Sequence, residues 1–280
     1  MKWQGRRRSS NVEDRRGMGG KGIAGVGGGL GIIIFIIVSL MGGNPGDLLN
    51  DMGSQPNIPY VESQEEKQLA EFVSVVLADT EDVWTEVFRE NNLEYKEPTL
   101  VLFSGSVNSA CGTAGSATGP FYCPGDQKLY IDLSFYKELS ERFNAPGDFA
   151  MAYVVAHEVG HHVQTLLGVS QKVHDLRPQL SDEEYNKYSV RLELQADYLA
   201  GVWARRTKDK NLLDEGDLEE ALNAAEAIGD DRLQKQAGGH VVPESFTHGT
   251  SQQRKNWLYK GYNTGNLDKW DTFSATDLSK

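Results

Sequence analysis

His157 and His161 flank Glu158 in the run His157-Glu158-Val159-Gly160-His161. Residues four apart on a helix share a face, so the two imidazoles can reach one ion. Glu158 is rotated about 100° from His157, where it can contact a water held by that ion without displacing a ligand. Zn2+ lowers the pKa of such a water to about 7, and a neighbouring carboxylate can take the proton. Val154, Val155, Ala156, Val159, Val163 and Leu166 make the segment strongly apolar. Two histidines and a glutamate inside it are therefore not casual surface residues; the bland alternative is a polar turn with satisfied histidines.

Two histidines and water do not complete a catalytic zinc site, which normally takes three protein ligands. The run Arg191-Leu192-Glu193-Leu194-Gln195-Ala196-Asp197 offers the third. Glu193 and Asp197 are four apart and so share a helical face among apolar neighbours. Glu193 is the expected ligand. Asp197 is the expected acceptor for the non-coordinating nitrogen of a ligand histidine, which fixes tautomer and ring orientation. Taken alone, such an acidic pair would read as an ordinary solvated face.

The runs HEVGHH, RLELQADYLAG and, upstream, CGTAGSATGPFYCPGDQKLYIDLSF resemble the bacterial putative neutral zinc metallopeptidase family over about residues 60–265, plus the N-terminal apolar stretch. The resemblance implies a zincin-like fold, a gluzincin-like set of two helical histidines and a downstream glutamate, a zinc ion, and Glu158 as general base. Zincins pair an edge strand with the substrate backbone, and residues 129–133, LYIDL, stand in the right order for that role; a plain core strand is the other reading. Thr247 to Arg254, THGTSQQR, resembles a stretch of related membrane metallopeptidases. There, either His248 or Arg254 could stabilise an oxyanion, or Thr250 caps a helix while Arg254 pairs a core acid. His162 points about 100° from His161 and suits packing or hydrogen bonding better than ligation. His174 and His240 have no supporting pattern. Tyr122 and Tyr130 line either a cleft or the core.

These groups need positioning elements. Apolar residues at helical spacing predict a helix from about Glu65, continuing through Val83 to Phe88. TLVLF, 99–103, and the alternating KLYIDLSF predict strands, the second half-buried. A helix follows from about Ser134 to Arg142. Asp148 is the expected N-cap of the histidine helix, and Gly168 its end. Ser181 and Glu184 form a capping-box pattern opening a helix to about Thr207. Further helices are expected at about Glu215–Ile228 and from Thr250, with an irregular tail over 266–280. The class is α+β: mostly helical, with a small sheet before the metal-binding helix and one N-terminal transmembrane helix.

That membrane helix is read from residues 22–41, which carry no charge over 20 positions, about the span of a bilayer core. Residues 1–21 hold seven basic against two acidic side chains, so the positive-inside rule leaves them cytoplasmic and exports the domain, to the periplasm in a Gram-negative cell. MGGNPGD after the apolar run lacks a small-x-small cleavage site, which favours an anchor over a cleaved signal peptide. Residues 42–64 read as a flexible linker and 65–265 as the metallopeptidase domain. Cys111 and Cys123 close a short loop and are expected to form a disulfide in an oxidising compartment. Net charge is −12, and an acidic body argues against nucleic acid as a partner. The leading function is hydrolysis of peptide or protein substrates. The alternatives are a non-catalytic zinc-containing envelope interaction protein and a hydrolase of a non-peptide amide such as a cell-wall component.

Overall fold

The computed structural model describes residues 1–17 and 60–279; the expected membrane span at 22–41 and most of the 42–64 linker lie outside them. Among the described residues no helix is long and apolar enough to cross a membrane. The fold is α+β, as the patterning implied.

Helix α1 (Gln64–Glu90) opens on a capping box between Ser63 and Glu66 and buries Trp84 and Phe88. The main sheet has the order β1-β2-β6-β5, with β1 (Val12–Asp14), β2 (Thr99–Phe103), β5 (Phe121–Cys123) and β6 (Lys128–Asp132). β1, β2 and β6 run parallel, and β5 is antiparallel to β6. A separate hairpin pairs β3 (Ser106–Ser109) with β4 (Gly112–Gly115). Its turn carries Cys111, which is bridged to Cys123 of β5 with 5.8 Å between Cα atoms.

Two readings of this region need correction. LYIDL is not an edge strand: β6 lies between β2 and β5, and the sheet ends on β5. Nor is it half-buried, since Tyr130 and Asp132 are buried along with Leu129 and Ile131. The second face is covered by a small cluster of Val101, Phe103, Val107, Cys123 and Tyr130. Asp132 tolerates burial because its carboxylate accepts from the backbone N–H groups of Gly105 and Ser134, both at 3.0 Å, and from the Ser116 hydroxyl.

The basic segment expected at residues 1–21 is likewise not separate over residues 1–17. It supplies β1, whose Val12 sits opposite Leu100, and it sends Met1 into the main hydrophobic core.

Helix α2 (Ser134–Glu141) leads to α3 (Asp148–Leu166), the histidine helix, whose N-cap is Gly147 with Asp148 the first helical residue. Gly168, with φ +72°, follows its end and precedes the short α4 (Val169–His174). The 28-residue α5 (Asp182–Asp209) begins with the expected Ser181–Glu184 box. α6 (Asp217–Ala227) follows. α7 (Asp230–Gly238) is a helix that periodicity did not suggest, with a mostly polar sequence, DDRLQKQAG. α8 (Ser251–Thr264) is capped by Thr250 with Gln253. α5 and α8 pack backbone to backbone: a Cβ on Gly261 would lie 1.9 Å from the Tyr198 carbonyl oxygen. The tail beyond α8 has no helix but folds back, with Leu278 O accepting from the Trp257 indole at 3.0 Å and Thr272 fully buried.

Candidate active site

α3 and α5 cross where Gly160 meets Ala196. A Cβ on Gly160 would lie 3.0 Å from the Ala196 carbonyl oxygen, so only glycine lets the helices approach this closely without adjustment. The crossing brings the His157–His161 face of α3 against the Glu193–Asp197 face of α5. His157 Nε2 lies 3.1 Å from Glu193 Oε2, and His161 Nε2 lies 3.4 Å from Glu193 Oε1. One donor atom from each of His157, His161 and Glu193 falls within 4.8 Å of the others.

The remaining ring nitrogens are held from behind. His157 Nδ1 donates to Asp197 Oδ1 at 2.8 Å, the bond that would leave Nε2 to face a metal ion held beside Glu193. Asp197 is fully buried and also accepts from the Tyr153 hydroxyl at 2.6 Å and from Arg254 Nε and Nη2 at 2.9 and 3.0 Å. Arg254 thus pairs a core acid, one of the roles its position suggested, while also lining the cleft. His161 Nδ1 donates to Gln164 Oε1 at 2.9 Å, and the Gln164 amide is pinned by donation to Leu192 O at 2.7 Å. Tyr153 and Gln164 were not singled out from the sequence, although one stands four residues before His157 and the other three after His161, both on the face the chemistry uses.

Electrostatics favour a cation here. Burial alone would push the His157 imidazolium down, but Asp197 and Glu193 outweigh it and raise the ring to about 10. Burial would raise Glu193, yet the charges of His161 and His248 hold it well below the carboxylate range. A field that retains a proton between these groups also suits a divalent ion, and two imidazole nitrogens with one carboxylate oxygen form a standard zinc donor set.

The cluster opens into a cleft of about 760 Å³, lined also by Glu158, Tyr122, His248 and an apolar wall of Phe135, Phe143, Val154, Ile228 and Leu233. Glu158 stands beside the donors without belonging to the triad. His248 is half exposed, and its ring shares Nδ1 contacts with Asp230 Oδ1 at 3.2 Å and the Thr247 hydroxyl at 3.0 Å. Asp230, missed in the sequence, also accepts from the backbone N–H groups of Thr247, His248 and Gly249 at 2.8, 2.7 and 3.1 Å, fixing the loop that presents His248. Burial would lower the His248 imidazolium, but Glu193 and Asp230 raise it.

His162 hydrogen-bonds, as expected, rather than reaching the triad. Its Nε2 donates to Lys96 O at 2.6 Å, and its Nδ1 accepts from Tyr122 of β5 at 3.1 Å, tying the edge strand to α3. Burial lowers this imidazolium from 6.5 to about 4. The folded value lies below the unfolded one, so the stability it contributes is complete above pH 6.5 and is lost as pH falls through 4. The loss approaches about 3 kcal/mol. Urea denaturation between pH 7 and 4 should show this slope in wild type and a flatter one in His162→Gln; equal slopes would contradict it. Tyr130 belongs to the core, and His174 and His240 are exposed.

A family model described as "Putative neutral zinc metallopeptidase" matches residues 1–273. "Uncharacterized protein YpfJ" of Escherichia coli K12 is 49% identical over 286 aligned positions, covering 99% of this chain and 100% of the relative. "Uncharacterized protein Rv2575" of Mycobacterium tuberculosis H37Rv is 46% identical over 195 positions, covering 66% of this chain and 65% of the relative. No solved structure matches the chain.

Proposed function

The chain belongs to the putative neutral zinc metallopeptidase family, and we propose that it is a membrane-attached zinc-dependent endopeptidase in which His157, His161 and Glu193 hold the metal. The observation that carries this reading is the convergence of three donor atoms within 4.8 Å at the floor of a cleft that also contains Glu158. A zinc ion held by His157, His161 and Glu193 would supply Lewis acidity toward a water and a substrate carbonyl.

Glu158 takes the proton of the attacking water and delivers it to the departing amine. His248, held by Asp230 at the cleft, donates toward the carbonyl oxygen as charge develops there. Among the described residues β5 ends the main sheet, and its Phe121 and Tyr122 line the cleft. An extended substrate adds to that edge by backbone hydrogen bonds. The apolar wall supports a peptide side chain as occupant over a sugar-bearing amide, which would need polar partners there. The Cys111–Cys123 bridge supports an oxidising compartment for the domain.

The test is hydrolysis of a peptide library by the purified chain. Cleavage should vanish on chelation and return with zinc. Cleavage confined to non-peptide amides would remove the substrate assignment, and cleavage indifferent to chelation would remove the metal.

A further inference from the structure

Residues 1–17 are built into the domain by contacts that the domain needs. Arg6 forms two hydrogen bonds with Asp79, and Arg7 pairs with Glu81 at 2.8 Å; both carboxylates are buried, at 5% and 2% exposure. Ser9 donates to Glu81 as well, and Lys128 pairs with Glu13. Trp3 packs edge-on against Phe72, with ring centres 5.5 Å apart. Without this segment Asp79 and Glu81 would be buried carboxylates stripped of these partners. The apolar strand β2 would also lose its β1 neighbour and become an open sheet edge.

The two chain ends that border residues 18–59 meet. A Cβ on Gly17 would lie 2.6 Å from the Tyr60 ring, and Arg16 pairs with Glu62 at 2.8 Å. The polypeptide therefore leaves the domain and rejoins it at one place. A single membrane crossing between those points would put β1 and β2 on opposite sides of the bilayer, which their pairing forbids. Two crossings need two apolar stretches of about 20 residues, and residues 18–59 contain one, at 22–41. The basic residues that suggested a cytoplasmic N-terminus are otherwise engaged: Arg6, Arg7, Arg8, Arg15 and Arg16 all pair with carboxylates in the fold.

On the membrane attachment proposed above, we infer that the N-terminal segment, residues 1–17, and the peptidase domain share one side of the membrane, so the arginines of that segment are part of the domain and not a tail on its opposite face.

The experiment uses the full chain in cells, with single reporters Ser10→Cys and Lys172→Cys at exposed positions; the two native cysteines are bonded to each other and do not compete. A membrane-impermeant maleimide should label both reporters or neither before permeabilisation, and both after it, with the chain in the membrane fraction. Labelling of one reporter alone in intact cells would overturn the shared side. Recovery of the whole chain in the soluble fraction would overturn attachment to lipid.

Discussion

Glu158→Gln should cut peptide cleavage by orders of magnitude while leaving zinc bound. The substitution keeps the size of the side chain, which matters for a group 8% exposed at the cleft floor. It removes the one property the reaction asks of it, a carboxylate able to accept a proton from water. General acid–base catalysis contributes roughly 10²–10⁴-fold, so kcat/KM should fall by about that factor with little change in KM. Glu158 is outside the donor triad, so metal content should stay at the wild-type level. Glu193→Gln should behave oppositely and lose metal first. Steady-state kinetics with metal analysis on both variants separates the roles. Zinc lost from Glu158→Gln would make Glu158 a ligand rather than a base.

Arg254→Ala should be among the most damaging substitutions outside the donor set. Arg254 and Asp197 are 2% and 0% exposed, and two hydrogen bonds join them. Burial would raise the Asp197 carboxyl, and Arg254 with His157 holds it below its usual value. Removing the guanidinium leaves a buried carboxylate with only His157 and Tyr153 to compensate it. Breaking a buried pair in this way costs about 3–5 kcal/mol, or on the order of 10 °C in melting temperature for a domain of this size. Asp197 also orients His157, so zinc affinity should drop about 10- to 100-fold. Arg254→Lys keeps the charge but not the fork, and should fall between. Calorimetry and zinc competition titration check both effects; a wild-type melting temperature in Arg254→Ala would contradict the network.

The place where the candidate site's side chains meet was legible in the sequence because its signal is local. A four-residue step puts His157 with His161 and Glu193 with Asp197 whatever the rest of the chain does, and the apolar neighbours announce that both helices are interior. The supports of the site were harder to read. Tyr153 and Gln164 look like ordinary helix residues until Asp197 and Leu192 are known to face them. Asp230 acts through a loop that only the packing of α7 against the start of α8 creates.

Sheet order was hidden for a related reason. TLVLF and LYIDL each read as strands, but their parallel pairing, and the insertion of β6 between β2 and β5, depend on contacts the pattern does not encode. The N-terminal strand gave the least warning of all. Val12–Asp14 is three residues long, and its arginines resemble a membrane-orienting cluster when their partners, Asp79 and Glu81, stand some 70 residues away.

The most direct test of the metal site is zinc-edge X-ray absorption on the zinc-loaded full chain, compared with Glu193→Gln. The account predicts one zinc per chain, with two imidazole nitrogens and a carboxylate oxygen at about 2.0–2.2 Å, one further light ligand from solvent, and loss of the carboxylate contribution or of the metal itself in Glu193→Gln. A zinc shell unchanged by that substitution, or one filled by four protein ligands, would contradict it.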